Sequence, residues 1–289
     1  MTDYGHDIEF GTFITPVNRP PRQAVERAQL AERLGFDLAT FQDHPYQPAF
    51  HDTWTLISFV AASTSRIRLA GNVHNLPLRQ PAVLARSIAS LDLLTEGRVE
   101  FGLGAGGFWD AIEAMGGRRL APADAVTALS QAIDVIRGVW DVDGEGRLVA
   151  GGEFHHVDGA KRGPRPAHDV PIWIGAYKPR MLRLVGEKAD GWLPSLGYLQ
   201  PGDLEAGNAR IDEAAQAAGR EPGSVRRLVN TGALGDTAQQ VEILTTLALD
   251  HGFSVFIVPG DDPSALEAFA AEVAPRVREA VAAARRPAG

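Results

Sequence analysis

Polar and glycine residues gather where four short apolar runs give out. The run Asp37–Gln42 passes into Gln42-Asp43-His44-Pro45-Tyr46, and Ile67–Val73 into Asn72-Val73-His74-Asn75. Arg98–Leu103 leads into Gly102-Leu103-Gly104-Ala105-Gly106-Gly107-Phe108-Trp109, and Val170–Gly175 into Gly175-Ala176-Tyr177-Lys178-Pro179. His44 is the sharpest chemical candidate, because an imidazole donates or accepts a proton near neutral pH. Side chains alternate along a strand, so Gln42 and His44 share a face and Asp43 points away. Asp43 is then not simply the orienting partner of His44. His74 is a second candidate of the same type, and a turn histidine bonded to backbone is the ordinary alternative for both. His6, His155, His156 and His168 fall in loops and read as surface groups. His251 precedes Gly252 at a helix end, where a cation complements the dipole.

Gly102–Gly107 spells G-x-G-x-x-G after a strand. On its own that string is weak evidence for a dinucleotide fold, and the acidic residue such a fold needs about 20 positions on would be Asp124, inside a helix. The glycines read as backbone that approaches a flat ring or a phosphate closely, or as a turn with only a packing purpose. Gly175–Lys178 leads into a helix starting near Pro179, whose exposed amides, with Lys178 and Arg180, suit an anion. The chain has no G-x-S-x-G, no G-x-x-x-x-G-K-[ST] and no H-E-x-x-H. With no cysteine, disulfides, thiolate nucleophiles and iron–sulfur clusters are excluded. No metal site is expected, although His44 and His74 together define a minor metal-hydrolase alternative.

These groups need a scaffold that brings strand ends together. Eight β-type runs occur in order: Ile8–Ile14, Asp37–Gln42, Ile67–Val73, Arg98–Leu103, Val170–Gly175, Gly191–Pro194, Arg226–Leu234 and Phe253–Val258. Between them lie helical stripes such as Val25, Ala28, Ala31 and Leu34, or Val126, Leu129, Ile133, Ile136 and Trp140. Two later helices carry capping-box spellings, Thr237-x-x-Gln240 and Ser264-x-x-Glu267. Strict alternation implies a parallel sheet, and eight βα units in 289 residues imply a closed (β/α)8 TIM barrel, an α/β fold whose sites lie at the C-terminal strand ends. The reading is a single domain, 1–289, with residues 141–169 as an insertion between the fourth helix and the fifth strand. That stretch is rich in Gly and Pro, has a hairpin spelling around Arg147–Val157, and reads as a lid.

Net charge is −8, from 28 Lys and Arg against 36 Asp and Glu, so nucleic acid is not the expected partner class on electrostatic grounds. No apolar run approaches a membrane span and no leader pattern opens the chain. A soluble, cytoplasmic protein acting on a small molecule is expected.

Several longer strings resemble the luciferase-like monooxygenase superfamily. They are Leu69-Ala-Gly-Asn-Val-His-Asn-Leu-Pro-Leu-Arg-Gln-Pro81, Ser90-Leu-Asp-Leu-Leu-Thr-Glu-Gly-Arg-Val-Glu-Phe-Gly-Leu-Gly-Ala-Gly106, Pro171-Ile-Trp-Ile-Gly-Ala176 and Ala189-Asp-Gly-Trp-Leu-Pro194. The resemblance runs from about Phe10 to Val258. It implies a TIM barrel, commonly a homodimer, holding FMN or the deazaflavin coenzyme F-420 at the barrel mouth. Asn72–Val73 matches the pair whose non-prolyl cis peptide backs the ring, with Asp43 and His74 beside it. His44 matches the histidine close to the reactive ring centre, and is therefore the implied catalytic residue. Gly104, Ala105 and Gly106 match the loop near the cofactor tail; Gly175, Ala176, Tyr177 and Lys178 match the phosphate-side turn. Tyr46, Trp54, Phe108 and Trp109 suit an aromatic substrate pocket.

The Asp43-His44 spelling is similar to that of F-420-dependent oxidoreductases, so hydride transfer between F-420 and a small organic substrate is favoured. The alternative is an FMN-dependent two-component monooxygenase using reduced flavin and oxygen. Either branch implies a flavin or F-420 reductase as partner. Gly107 stands where some F-420 sugar-phosphate dehydrogenases carry a catalytic Glu, which argues against a sugar phosphate. A non-catalytic cofactor-binding relative is the competing class.

Overall fold

A computed structural model describes residues 2–286, so the extreme ends of the expected 1–289 domain lie outside the described residues. Its strands are β1 (Glu9–Ile14), β2 (Leu38–Phe41), β3 (Arg68–Gly71), β4 (His74–Asn75), β5 (Phe101–Gly104), β6 (Leu148–Gly151), β7 (His156–Ala160), β8 (Ile172–Ile174), β9 (Gly191–Trp192), β10 (Arg226–Asn230) and β11 (Phe253–Pro259). Its helices are α1 (Gln23–Arg33), α2 (Thr53–Ala61), α3 (Pro81–Leu94), α4 (Trp109–Ala114), α5 (Pro122–Trp140), α6 (Pro179–Lys188), α7 (Asp203–Ala217), α8 (Thr237–His251), α9 (Pro263–Ala268) and α10 (Ala274–Ala284). None is long and apolar enough to cross a membrane.

Nine strands form one parallel sheet in the order β3-β2-β1-β11-β10-β9-β8-β5-β4. A parallel bridge between Leu69 and Val99 joins β3 to the start of β5 and brings the two edges together. Leu69 donates to Arg98 O and Glu100 donates to Leu69 O, both at 2.9 Å. Because β4 resumes the third stave beyond residues 72–73 and pairs with β5, the sheet has eight staves, and the expected TIM barrel is the observed fold. All eight sequence runs became staves, although most are shorter than their apolar runs.

Alternation sorts each strand into an inward and an outward set. Leu38, Ala70, Trp173, Leu193, Leu228, Val255 and Ile257 fill the barrel interior, capped by Phe13 and Val73. Their neighbours Phe41, Leu69, Phe101, Ile172, Ile174 and Phe256 pack outward against the helices. The N-terminal end of the barrel is closed by charge: Arg68 pairs with Glu9 and Glu100, and Arg226 pairs with Glu9. Burial raises the Glu100 carboxyl despite its pairing with Arg68.

One local expectation is corrected. The caps of α8 and α9 begin one or two residues earlier than their spellings suggest. Asp236 and Gln239 form the capping box of α8, and Asp262 accepts from Ser264 N and Ala265 N ahead of α9. An aspartate offers a charged acceptor to the free amides of a first turn, so it takes the cap from the neighbouring hydroxyl. The insertion 141–169 does carry a hairpin, β6 and β7, but its hydrogen bonds go to α5 rather than to the strand ends. Gln131 Oε1 accepts from Phe154 N and His155 N, and Gly163 N donates to Val139 O. Its far end is pinned where His168 binds the fully buried Asp92 through both its backbone N and Nδ1. The segment is strapped to the outer helix layer in this structure.

Candidate active site

Thr40, Asn72, Asn230 and Ser195 form a polar chain at the C-terminal end of the barrel. Asn72 Nδ2 donates to Asn230 Oδ1 at 2.7 Å and to Thr40 Oγ1 at 3.2 Å. Asn230 Nδ2 returns a bond to Asn72 Oδ1 at 3.2 Å and reaches Ser195 Oγ at 3.1 Å. The reciprocal amide pair thus spans the barrel from β3 to β10. Asn230, Ser195 and Thr40 were not picked out from sequence. The available signal was that all three stand on the inward register near the end of a stave.

The peptide bond between Asn72 and Val73 is cis, the conformation the resemblance implies for that pair. Val73 lies against the glycines of the fourth stave. A Cβ on Gly104 would fall 2.6 Å from Val73 Cγ2, and one on Gly102 would fall 2.3 Å from Gly71 O. Only hydrogen fits at either place. Gly106 has φ of +96° and lies against Pro77 and the Trp109 ring, whereas nothing lies within 4 Å of a Cβ on Gly107. Ala105, between Gly104 and Gly106, is half-buried.

His44 stands half-buried at the rim. Its Nδ1 is 2.7 Å from Tyr46 Oη, and its ring meets Phe108 edge-on with centroids 5.3 Å apart. Tyr46 and Phe108 are also neighbours, at 6.1 Å. Burial lowers the His44 imidazole below its usual range, against the opposing pull of the Asp43 charge, so the neutral form is favoured. Burial, together with the same carboxylate, raises the Tyr46 phenol. His44, Tyr46 and Phe108 are thus brought together as one aromatic rim, with Trp109 opening α4 next to Phe108.

Asp43 and His74 face elsewhere. The Asp43 carboxylate is buried and accepts from Arg79 Nε at 2.6 Å, Arg79 Nη2 at 2.7 Å and Asn75 N at 2.9 Å. Burial alone would raise that carboxyl; the Arg79 guanidinium, with His74 alongside, holds it well below the usual carboxylate range. His74 is buried between the rings of Trp54 and Phe101, at 5.5 and 5.6 Å, and its Nδ1 is 3.7 Å from Asp43 Oδ2, too long for a hydrogen bond. The outward register of Asp43 and the resumption of the strand at His74 turn both side chains toward the helix layer. Trp54 goes with them: it packs on His74 and lines a groove between α2 and α3, away from the aromatic rim. His44 and His74 therefore stand on opposite faces of the barrel wall, and among the described residues no group of three His, Asp or Glu could hold a metal ion.

The fifth stave ends in a second polar corner. Gly175 follows β8, Ala176 is buried and its carbonyl accepts from Trp192 Nε1 at 2.9 Å. Tyr177 Oη accepts from Ser195 N at 2.9 Å, and Tyr198 meets the Tyr177 ring edge-on. Lys178 is the extended N-cap of α6, with Pro179 as its first helical residue. This corner is joined to the amide chain through Ser195.

The family model of luciferase-like monooxygenases matches residues 8–287. A 5,10-methylenetetrahydromethanopterin reductase of Methanolobus tindarius is 34% identical over 218 residues, which are 75% of this chain and 63% of that one. An F-420-dependent glucose-6-phosphate dehydrogenase of Nocardia farcinica is 30% identical over 249 residues, covering 83% of this chain and 73% of that one. Among solved structures, an F-420-dependent secondary alcohol dehydrogenase in complex with an F-420–acetone adduct superposes with a TM-score of 0.83 at 18% identity, covering 94% of this chain and 99% of that one.

Proposed function

The chain belongs to the luciferase-like monooxygenase family, and from that premise we propose that it passes a hydride between coenzyme F-420 and a small organic substrate. The observation that carries this reading is the pairing of a neutral-favouring histidine with an apolar cradle, floored by Val73 and Phe13, at one barrel mouth. Gly102 and Gly104, lacking side chains, let Val73 pack close against the fourth stave, Val73 and Phe13 present an apolar floor, and the amide pair beneath is saturated with internal bonds. A flat, uncharged ring system fits such a cradle, and the first turn of α6 with Gly175, Ala176, Tyr177 and Lys178 suits its phosphate-bearing tail.

When bound, F-420 supplies a two-electron hydride acceptor or donor. The chain's own part is orientation and the proton. Val73 and the Asn72–Asn230 pair would hold the ring, and the absence of side chains at Gly102 and Gly104 seats Val73 against the fourth stave. His44, with Nδ1 engaged by Tyr46, offers Nε2 to take the hydroxyl proton of an alcohol, or to return it to a carbonyl oxygen. Phe108 and Tyr46 flank the His44 ring and favour an apolar substrate.

Equilibrium titration with oxidised F-420 and FMN at one ionic strength, followed by fluorescence, tests the assignment. Tight F-420 binding with weak FMN binding is the expected result. Tight FMN binding alone would replace hydride transfer with the oxygen-using alternative and its reductase partner; binding of neither would overturn the cofactor assignment.

We also infer a homodimer through the outer face of α2 and α3. Phe59, Val83 and Leu94 are exposed there around a groove of about 640 Å³. The hydroxyls of Ser58, Ser87 and Ser90, which line it, all bond to carbonyls of their own helices, and Arg86, the charged group in its wall, donates to Lys161 O. Light scattering is expected to give a dimer for the natural chain and a monomer for Leu94→Asp. A natural chain that is monomeric at tens of micromolar would refute it.

A further inference from the structure

Arg79 has no part in the chemistry described above, yet it is tied to three elements of the site. Its guanidinium grips Asp43 with two bonds, Nε to Oδ2 at 2.6 Å and Nη2 to Oδ1 at 2.7 Å. Nη2 also reaches Asp52 Oδ1 at 2.9 Å, and Asp52 is the N-cap of α2. Asp43 immediately precedes His44, and its Oδ2 accepts from Asn75 N two residues beyond Val73. One buried carboxylate is therefore bonded to the strand end that carries His44 and to the segment that carries Asn72–Val73. The groups facing that carboxylate are Arg79, Asn75 N and, at 3.7 Å, His74, whose ring nitrogens have no hydrogen-bond partner. Among the described residues, Arg79 is thus the only permanent cation on this carboxylate, whose side chain has no exposure.

We propose that Arg79 is a positioning residue, which sets His44 and the Asn72–Val73 segment at one separation by holding Asp43 with a two-pronged grip. The inference rests on the reading that those two groups face the cofactor. A planar fork is what the geometry demands: a lysine would keep the charge but give up the second prong, and with it the fixed direction of the carboxylate. A methionine would leave Asp43 buried without its counter-charge.

The test uses Arg79→Lys, Arg79→Met, Asp43→Asn and the Asp43→Asn/Arg79→Met double variant in the full chain, each checked by melting temperature. Two readings are taken: F-420 and FMN titrations, and the His44 imidazole resonances by NMR without any cofactor. Arg79→Lys is expected to weaken binding of the preferred cofactor about tenfold or more and to shift the His44 resonances, although charge is conserved. Arg79→Met is expected to cost at least as much in the natural background but less than about threefold in the Asp43→Asn background, because it acts through that carboxylate. Arg79→Lys that is folded, binds within twofold of the natural chain and leaves the His44 resonances in place overturns the proposal. So does an Arg79→Met penalty of equal size in both backgrounds. If Arg79→Met does not fold, Arg79→Lys decides alone. If the natural chain binds neither cofactor, the functional reading fails, and the His44 resonances of Arg79→Lys still decide whether the grip positions that ring.

Discussion

Alanine substitutions along Gly102, Gly104 and Gly107 should separate sharply, although the three lie within six residues. A Cβ on Gly102 would fall 2.3 Å from the carbonyl oxygen of Gly71 and 3.1 Å from Val73 Cγ1. Backbone of a neighbouring stave cannot swing aside, so Gly102→Ala must part the third and fourth staves and is expected to cost about 3 kcal/mol or more. A Cβ on Gly104 would fall 2.6 Å from Val73 Cγ2, roughly 1 Å inside normal contact. Val73 is β-branched and stiff at χ1, so it must tilt rather than rotate; Gly104→Ala is expected to cost about 1–3 kcal/mol. Because the displaced group is the proposed ring support, F-420 affinity should fall about tenfold, equivalent to roughly 1.4 kcal/mol. Gly107 has open space around its Cβ and is not in the left-handed region, so Gly107→Ala should lie within about 0.5 kcal/mol of the natural chain, or stabilise it slightly by restricting the unfolded state. Urea unfolding gives the three stabilities, and cofactor titration of the folded variants gives the affinities. Gly102→Ala as stable as Gly107→Ala would refute the steric reasoning. Gly104→Ala with unchanged affinity would detach Val73 from the cofactor.

His44→Gln is expected to lower turnover by about 10²–10⁴-fold, with F-420 affinity within a few fold; a large loss of binding with normal turnover would remove the proton-transfer role. Alcohol oxidation should rise with pH through a point below about 6.5, because burial lowers the imidazole and the neutral form accepts the proton; a rate that falls over that range would contradict it. The same depressed group takes up its proton more readily unfolded than folded. Its contribution to stability is therefore lost as pH falls through about 6.5, and His44→Gln should flatten that part of the stability curve. Asp92→Ala removes the acceptor of Val99 N, His168 N and His168 Nδ1, so limited proteolysis should cut faster within 141–169 while the barrel survives; an unchanged pattern would show that the α5 contacts alone hold the insertion.

Much of the architecture was legible from local pattern. Inward and outward sets alternate with period two along each stave, and helical stripes recur at three and four, so the number, type and order of elements follow from short-range rules. The glycines at the fourth stave end and the inward register of His44 could be placed the same way. Asp43 shows both the reach and the limit of that logic. Its outward direction follows from alternation, but its grip by Arg79, 36 residues later, does not. Trp54 illustrates the same limit, since an aromatic ring reads alike whether it lines a pocket or packs beneath a helix. Residues 141–169 show the same limit: loop length and composition give a hairpin but do not say that it packs on α5.

By itself, the sequence determined the βα rhythm, the family strings, the polar strand ends and the candidacy of His44, because each depends on residue type and near-neighbour spacing. Only the tertiary structure decided which polar groups meet. Asn72 and Asn230 lie 158 residues apart and become partners because barrel closure brings their strand ends face to face. Whether a buried carboxylate or amide helps or harms depends on finding such a partner, and that is fixed by the closed sheet, where no local pattern reaches.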